Sequence, residues 1–159
     1  MLTLKLLFLL SVANGAPIVL KKLLGNRGDW PLDGGWRGRD GRPLLGPSKT
    51  WRGCAAALLA TGAAALALGW PFALGLLIGI TAMVGDLASS FVKRRLGIPS
   101  SGKAPGLDQI PESLLPLLAV RCQLGLGSAQ IALLVASFVL LDVVLSRLLY
   151  ALHIREQPH

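Results

Sequence analysis

Charge is scarce in this sequence: charged side chains make up 15% of its 159 residues, against 53% hydrophobic ones. With a mean hydropathy of +0.61, that balance exceeds what a soluble core of this size requires and is typical of membrane chains. The length suits one domain, taken as residues 1–159, rather than two. Cysteine is scarce too. Cys54 and Cys122 sit in or beside apolar segments and read as small core residues rather than a disulfide or a metal pair, and no Cys/His spacing suggests zinc. No Ser/His/Asp or Cys/His arrangement is present, which argues against acyl transfer. There is no internal repeat and no low-complexity tail.

The longest uncharged stretch runs from Gly53 to Gly85, 33 residues. As one helix it would measure about 50 Å against a hydrocarbon core of about 30 Å. Trp70-Pro71 supplies a break, because proline lacks a backbone N–H and biases the preceding residue away from helix. The sequence therefore predicts a hairpin of spans at 53–69 and 72–91. A first span at 2–20, a weaker one at 111–126 containing Arg121 and a strong last one at 129–149 complete an all-α, polytopic membrane protein of about five transmembrane helices. The first segment also resembles a signal peptide cleaved after Gly15. The apolar character resuming at Ile18-Val19-Leu20, with lysines only after it, favours a retained span.

The formal charge of +8 would suit nucleic acid, but its distribution argues against that partner. Eight of the sixteen Lys and Arg lie between Lys21 and Arg52, four between Lys93 and Lys103, and two after residue 146. With five spans these stretches share one membrane face, which the positive-inside rule makes cytoplasmic. The expected placement is the cell (inner) membrane, with the N-terminus outside, the C-terminus inside and a polar active site facing the cytoplasm. Residues 25–52 and 93–109 are polar and rich in Gly or Pro, and read as loops. Trp30, Trp36, Trp51 and Trp70 read as interfacial anchors.

Chemistry gathers beside these loops. Gly75, Gly79, Ala82, Asp86, Ser90 and Lys93 recur at steps of three or four, which puts them on one helix face. The small members allow another helix to approach closely. A carboxylate in a transmembrane helix costs about 2.5–3.5 kcal/mol at the centre, so Asp86 needs a partner or a task. One reading is an ion pair with Lys93 or Arg94 that anchors the helix end. The other is Mg²⁺, held by Asp86 with Asp108 while nucleotide phosphates and water complete its octahedron. Adjacent Lys93 and Arg94 would then neutralise phosphate charge, a constellation suited to phosphoryl or nucleotidyl transfer. In the first loop, Gly46-Pro47-Ser48-Lys49-Thr50 is a poor match to a P-loop, yet with Arg52 it offers a flexible, phosphate-holding turn.

Taken in order, these motifs resemble the CDP-archaeol synthase family, relatives of the phosphatidate cytidylyltransferases. The resemblance rests on Ala13-Asn14-Gly15-Ala16-Pro17, Pro31-Leu32-Asp33-Gly34, the run from Asp40-Gly41-Arg42-Pro43 through Gly46-Pro47-Ser48-Lys49-Thr50-Trp51-Arg52-Gly53, the run from Gly85-Asp86-Leu87 to Lys93-Arg94-Arg95-Leu96-Gly97, and Leu107-Asp108-Gln109. It implies transfer of the cytidylyl group of CTP to a phosphorylated lipid in the bilayer, with pyrophosphate released and Mg²⁺ as cofactor. By position it implies Asp86 and Asp108 as metal carboxylates and, with Lys93, the catalytic set. Arg94 would join Lys93 on the triphosphate, with Lys49 and Thr50 as a second phosphate contact and Asn14 facing the site from the first span. Arg42, Arg52 and Ser90 complete the candidate substrate-binding residues. The last span departs from the family's usual His and Asn, carrying Asp142, Ser146 and Arg147 instead. A non-enzymatic membrane scaffold or channel subunit, with Asp86 and Asp142 paired to arginines, is the alternative, and a homo-oligomer stays open.

Overall fold

The computed structural model describes residues 1–25, 27–99, 102, 104 and 106–151, with side chains to 144 in the last helix. Lys103 and Pro105 of the second polar stretch, and the side chains of Ser146 and Arg147, lie outside the described residues. Among the described residues six helices follow one another: α1 Leu2–Leu24, α2 Trp51–Ala67, α3 Phe72–Arg95, α4 Gln109–Ala119, α5 Arg121–Leu124 and α6 Ser128–Ala151. Among the described residues there is no strand, only isolated bridges pairing Pro31 with Thr50 and Arg37 with Pro43. By length and composition α1 and α3 are able to cross a membrane, while Trp51–Ala67 and Ser128–Val144 are apolar but shorter.

The hairpin break falls where the sequence puts it. α2 ends at Ala67 and α3 begins at Phe72 with Pro71 as its N-cap, and Gly69 takes the left-handed conformation (φ 75°) that closes the turn. The weak fourth segment differs from one span over 111–126. It breaks at Val120 into α4 and the four-residue α5, which ends on left-handed Gly125. No residue of α5 is buried, so Cys122 is exposed, and Cys54 is only partly buried. Neither free cysteine is the core residue expected, because each lies where its helix leaves the packed interior.

α3 is the central helix, packing chiefly on α2 and α4, while α1 lies across α2 and α3 and α6 across α4 and α1. The apolar core joins Leu6, Leu9 and Leu10 of α1 to Ile78, Leu117, Leu134 and Phe138. Beyond it, Lys5 donates to the Leu68 carbonyl at 2.7 Å and stacks 5.3 Å from the Trp70 ring, which satisfies a lysine that would otherwise meet only apolar neighbours.

Small residues set the helix spacing. The predicted stripe faces α2, with Gly75 against the Thr61 carbonyl and Gly79 against Leu58 Cα. Gly85, one position off the stripe, meets α4: a Cβ there would collide with the Pro111 carbonyl. Gly85→Ala therefore has to push backbone away from backbone, and about 1–3 kcal/mol of overpacking strain outweighs the roughly 1 kcal/mol that alanine gains as a helix former. Gly79→Ala meets its nearest atom at 3.3 Å and should be close to neutral. Thermal unfolding in detergent should show a lower Tm for Gly85→Ala alone; equal Tm values for both variants would mean that α3 and α4 are not in this close contact.

Candidate functional site

The core gives way at Phe138 and Met83 to a partly open cavity of about 340 Å³, lined by apolar and charged side chains of α1, α3, α4 and α6, the start of α2 and the loop before it. From α1, Ser11, Asn14, Ile18 and Lys21 line it, at the three- and four-residue steps of one helix face. Asn14 keeps its Nδ2 buried there without a hydrogen-bond partner. Pro17 also lines the wall, beside the Gly53 backbone of α2.

The loop delivers Lys49 and Thr50. Asp33 organises it by accepting from the backbone N–H groups of Gly35 at 3.0 Å, Leu45 at 2.9 Å and Gly46 at 3.0 Å. Burial alone would raise the Asp33 pKa, but these three donors turn the shift downward. The loop closes on itself through Leu32 N–H to the Lys49 carbonyl, 2.7 Å, and Trp51 N–H to the Trp30 carbonyl, 3.2 Å. Thr50 is the N-cap of α2, its hydroxyl accepting from Gly53 N–H at 3.2 Å.

Two lysine–carboxylate pairs stand inside. Lys49 Nζ reaches both oxygens of Asp86 at 2.6 Å, and Lys93 Nζ lies 2.8 Å from Asp108. Asp86 is thus not anchored to Lys93 or Arg94 on its own helix. Seven residues, about 10 Å of helix, separate Asp86 from Lys93, so each finds its partner on another segment. Glu112 and Asp142 also line the cavity; Glu112 is 7% exposed, and neither has a lysine or arginine ion-paired with it among the described residues. Asp142 instead accepts from Gln109 Nε2 at 3.1 Å, whose Oε1 takes the Gly106 N–H.

Of the residues singled out from sequence, Asn14, Lys49, Thr50, Asp86, Lys93 and Asp108 meet at this cavity. Arg42, Arg52, Ser90 and Arg94 are not among its lining residues. Arg42 donates to the Arg95 carbonyl; Arg52 binds the Gly25 and Arg27 carbonyls and Asp29; Ser90 and Arg94 are buried in α3. Sequence reasoning passed over Glu112, Gln109 and Lys21. The signal was spacing: Asp108 to Glu112 and Asn14 to Lys21 each repeat on one helix face.

No three Asp, Glu, His or Cys side chains among the described residues form a ready-made metal cage. The donor chemistry fits a hard cation held by one or two carboxylates and completed by ligand oxygens, since Asp86, Asp108, Glu112 and Asp142 all line the cavity.

A cavity lined by charged side chains at one end of an apolar helical bundle defines the class: a small helical membrane protein with a polar site. The CarS-like, CDP-archaeol synthase family profile matches residues 63–159, and the chain belongs to that family. It is 43% identical over 104 residues to the CDP-archaeol synthase of Hyperthermus butylicus, covering 62% of this chain and 59% of the relative. It is 38% identical over 108 residues to that of Pyrococcus horikoshii, covering 61% and 60%. The matched stretches thus span about three fifths of the curated relatives. A solved structure described as an intramembrane enzyme for archaeal membrane lipid biosynthesis superposes with a TM-score of 0.71 at 37% identity, covering 88% of this chain and 89% of that one.

The Asp33 carboxylate provides a test of the loop. A depressed folded-state pKa contributes stability that is present above the unfolded value of 3.8 and is lost as pH falls through the lower folded value. The amide proton resonances of Leu45 and Gly46 should therefore titrate with a midpoint below 3.8, and Asp33→Asn should reduce their exchange protection already at neutral pH. A midpoint at or above the ordinary value would show that these hydrogen bonds do not hold the loop.

Proposed function

We propose that this protein transfers the cytidylyl group of CTP to a lipid phosphate, giving a CDP-lipid and pyrophosphate in phospholipid biosynthesis. The observation that carries the reading is the convergence of two lysine–carboxylate pairs, drawn from the loop, α3 and the start of α4, in one cavity at the border of the apolar core. A water-borne nucleotide and a bilayer-borne phosphate need such a border to meet. The relatives' name supports an archaeal ether-lipid phosphate as the acceptor to test first, with a diacyl phosphate beside it.

In this reading a lipid phosphate oxygen attacks the α-phosphorus of CTP in line, a P–O bond forms, and the bond to the β-phosphate breaks to release pyrophosphate. An ionised lipid phosphate needs no dedicated base. Lys49 and Lys93 turn from their carboxylates to phosphate oxygens, where a cation matches charge developing in the transition state. The Asn14 amide, already buried and unpaired, donates to the substrate, and the Thr50 hydroxyl lies beside Lys49. Asp86 and Asp108, thus vacated, would hold Mg²⁺, whose chemistry when bound is to neutralise the phosphates and the leaving group. The asymmetry of Lys and Arg supports a cytoplasmic cavity, five crossings with α4 and α5 counted as one, and an external N-terminus.

The test is incubation of the detergent-purified protein with labelled CTP, Mg²⁺ and a panel of lipid phosphates, expecting a labelled CDP-lipid. Asp86→Asn and Asp108→Asn should each slow turnover roughly a hundredfold or more, the scale of losing one preorganised electrostatic stabiliser. Because both pairs are largely buried, removing one carboxylate also lowers stability, so turnover is compared only on protein shown to be folded by its Tm in detergent. The double variant should be little worse than either single one, as expected of groups acting as a unit. Folded protein that labels none of the lipids, or Asp86→Asn that keeps its turnover, would sink the proposal.

A further inference from the structure

We infer that Arg95 is a positioning residue, clamping the 38–43 tip of the loop to the end of α3 so that Lys49 stays in reach of the nucleotide once the Lys49–Asp86 pair opens; this rests on the reading of the cavity as a CTP site. Lys49 rides on the loop and Asp86 on α3, and the two hold one another. Substrate binding has to break that tie. If it were the loop's one attachment to α3, Lys49 would be released just when the triphosphate needs it.

A second attachment lies at the far end of the same helix. Arg95 Nη1 sits 2.6 Å from Asp40 Oδ1. Its Nη2 donates to the carbonyls of Pro43 at 2.5 Å and Arg42 at 3.2 Å. Arg42 Nη1 returns a bond of 2.6 Å to the Arg95 carbonyl. A lone exposed ion pair would contribute little, but this is a four-bond network in which a planar guanidinium meets one carboxylate and two carbonyls, which a lysine ammonium cannot reproduce. The chain is built for the contact: a Cβ at Gly38 would collide with the Arg95 guanidinium, and the tip is closed by Gly38 N–H to the Arg42 carbonyl and Leu44 N–H to the Trp36 carbonyl. Nine residues, about 13 Å along the helix, separate Asp86 from Arg95. Two ties at that spacing on one rigid helix fix the loop's tilt, where one would leave it free to swing. Arg95 does not line the cavity, so it acts on the site through the loop.

The consequence is a split between kinetic constants. Without the clamp the ligand-free loop is seated only part of the time, and apparent affinity falls by that fraction, so Arg95→Gln should raise the KM for CTP roughly tenfold if the loop is seated a tenth of the time. Saturating nucleotide reseats the loop, so kcat should stay within about twofold of the parent on the same argument. Arg95→Lys, keeping charge without the fork, should fall between. Asp40→Asn should act in the same direction, and the double variant should be no worse than Arg95→Gln, because both remove one network. A separate readout needs no activity: hydrogen exchange at the Gly38 and Leu44 amides of the ligand-free protein should accelerate in Arg95→Gln, with the interior amides of α3 unchanged. Unchanged exchange at those amides would overturn the clamp, as would a fall in kcat with KM unaltered, the mark of an effect on chemistry or folding. Accelerated exchange in a protein whose parent makes no CDP-lipid would uphold the clamp and dismiss the CTP reading instead.

Discussion

A charge lodged among apolar helices is costly to leave unpaired, and in this bundle the partner of Asp86 comes from outside its own helix. Lys49 reaches it from the loop, and that pairing helps to hold the 27–50 segment over the end of the bundle. It makes a wall of what would otherwise be a connector, and it brings Thr50, the N-cap of α2, to the same place. The Lys93–Asp108 pair does the equivalent for the start of α4. Ion pairs of this kind add little net stability, because desolvation offsets most of the attraction. What they provide is register: each fixes which segment faces which, at a spot that solvent still reaches.

That arrangement is available only because the helices around it pack closely. α3 spends its small residues on two neighbours, Gly75 and Gly79 against α2 and Gly85 against α4, and is held tightly on both sides up to the level of Asp86. Beyond that level the side chains become polar and the helices enclose a cavity. The apolar half is a packed core with Lys5 and Trp70 at its far end, so the charged half rests on a floor that includes Phe138.

Much of this was legible in the sequence, and what was not has a physical reason. The Trp70-Pro71 break, the small-residue stripe and the irregular 25–52 loop follow from local rules that need no knowledge of partners. Asn14, Lys49, Thr50, Asp86, Lys93 and Asp108 are polar groups next to or within apolar segments, where burial without a task is costly, and they do meet. Arg42 and Arg52 lie in the same loop run as Lys49 and Thr50, yet their guanidinium groups hold backbone carbonyls. An arginine's fork fits carbonyl and carboxylate oxygens as well as phosphate, so residue type and proximity in sequence do not tell which it takes. Glu112 went unnoticed because an apolar run with one acid reads as a weak span, whereas the break at Val120 turns that run into a short helix lining the site.

The charges that line the cavity bear on how a triphosphate could enter it. Asp86, Asp108, Glu112 and Asp142 face Lys21, Lys49 and Lys93, so the acidic side chains outnumber the lysines, and two of the lysines are already engaged. With every group ionised such a site would repel a polyanion arriving alone, for like charges in a low-dielectric recess interact strongly. Under the proposed activity, each lysine that moves to a phosphate leaves behind a carboxylate that must find another cation, so nucleotide and Mg²⁺ would each favour the other's binding through the same two side chains. Such a coupling is reciprocal by necessity. The two ion pairs keep these carboxylates satisfied, and the loop that carries Lys49 has to yield locally while holding its place, which is the demand that the contacts at its tip meet.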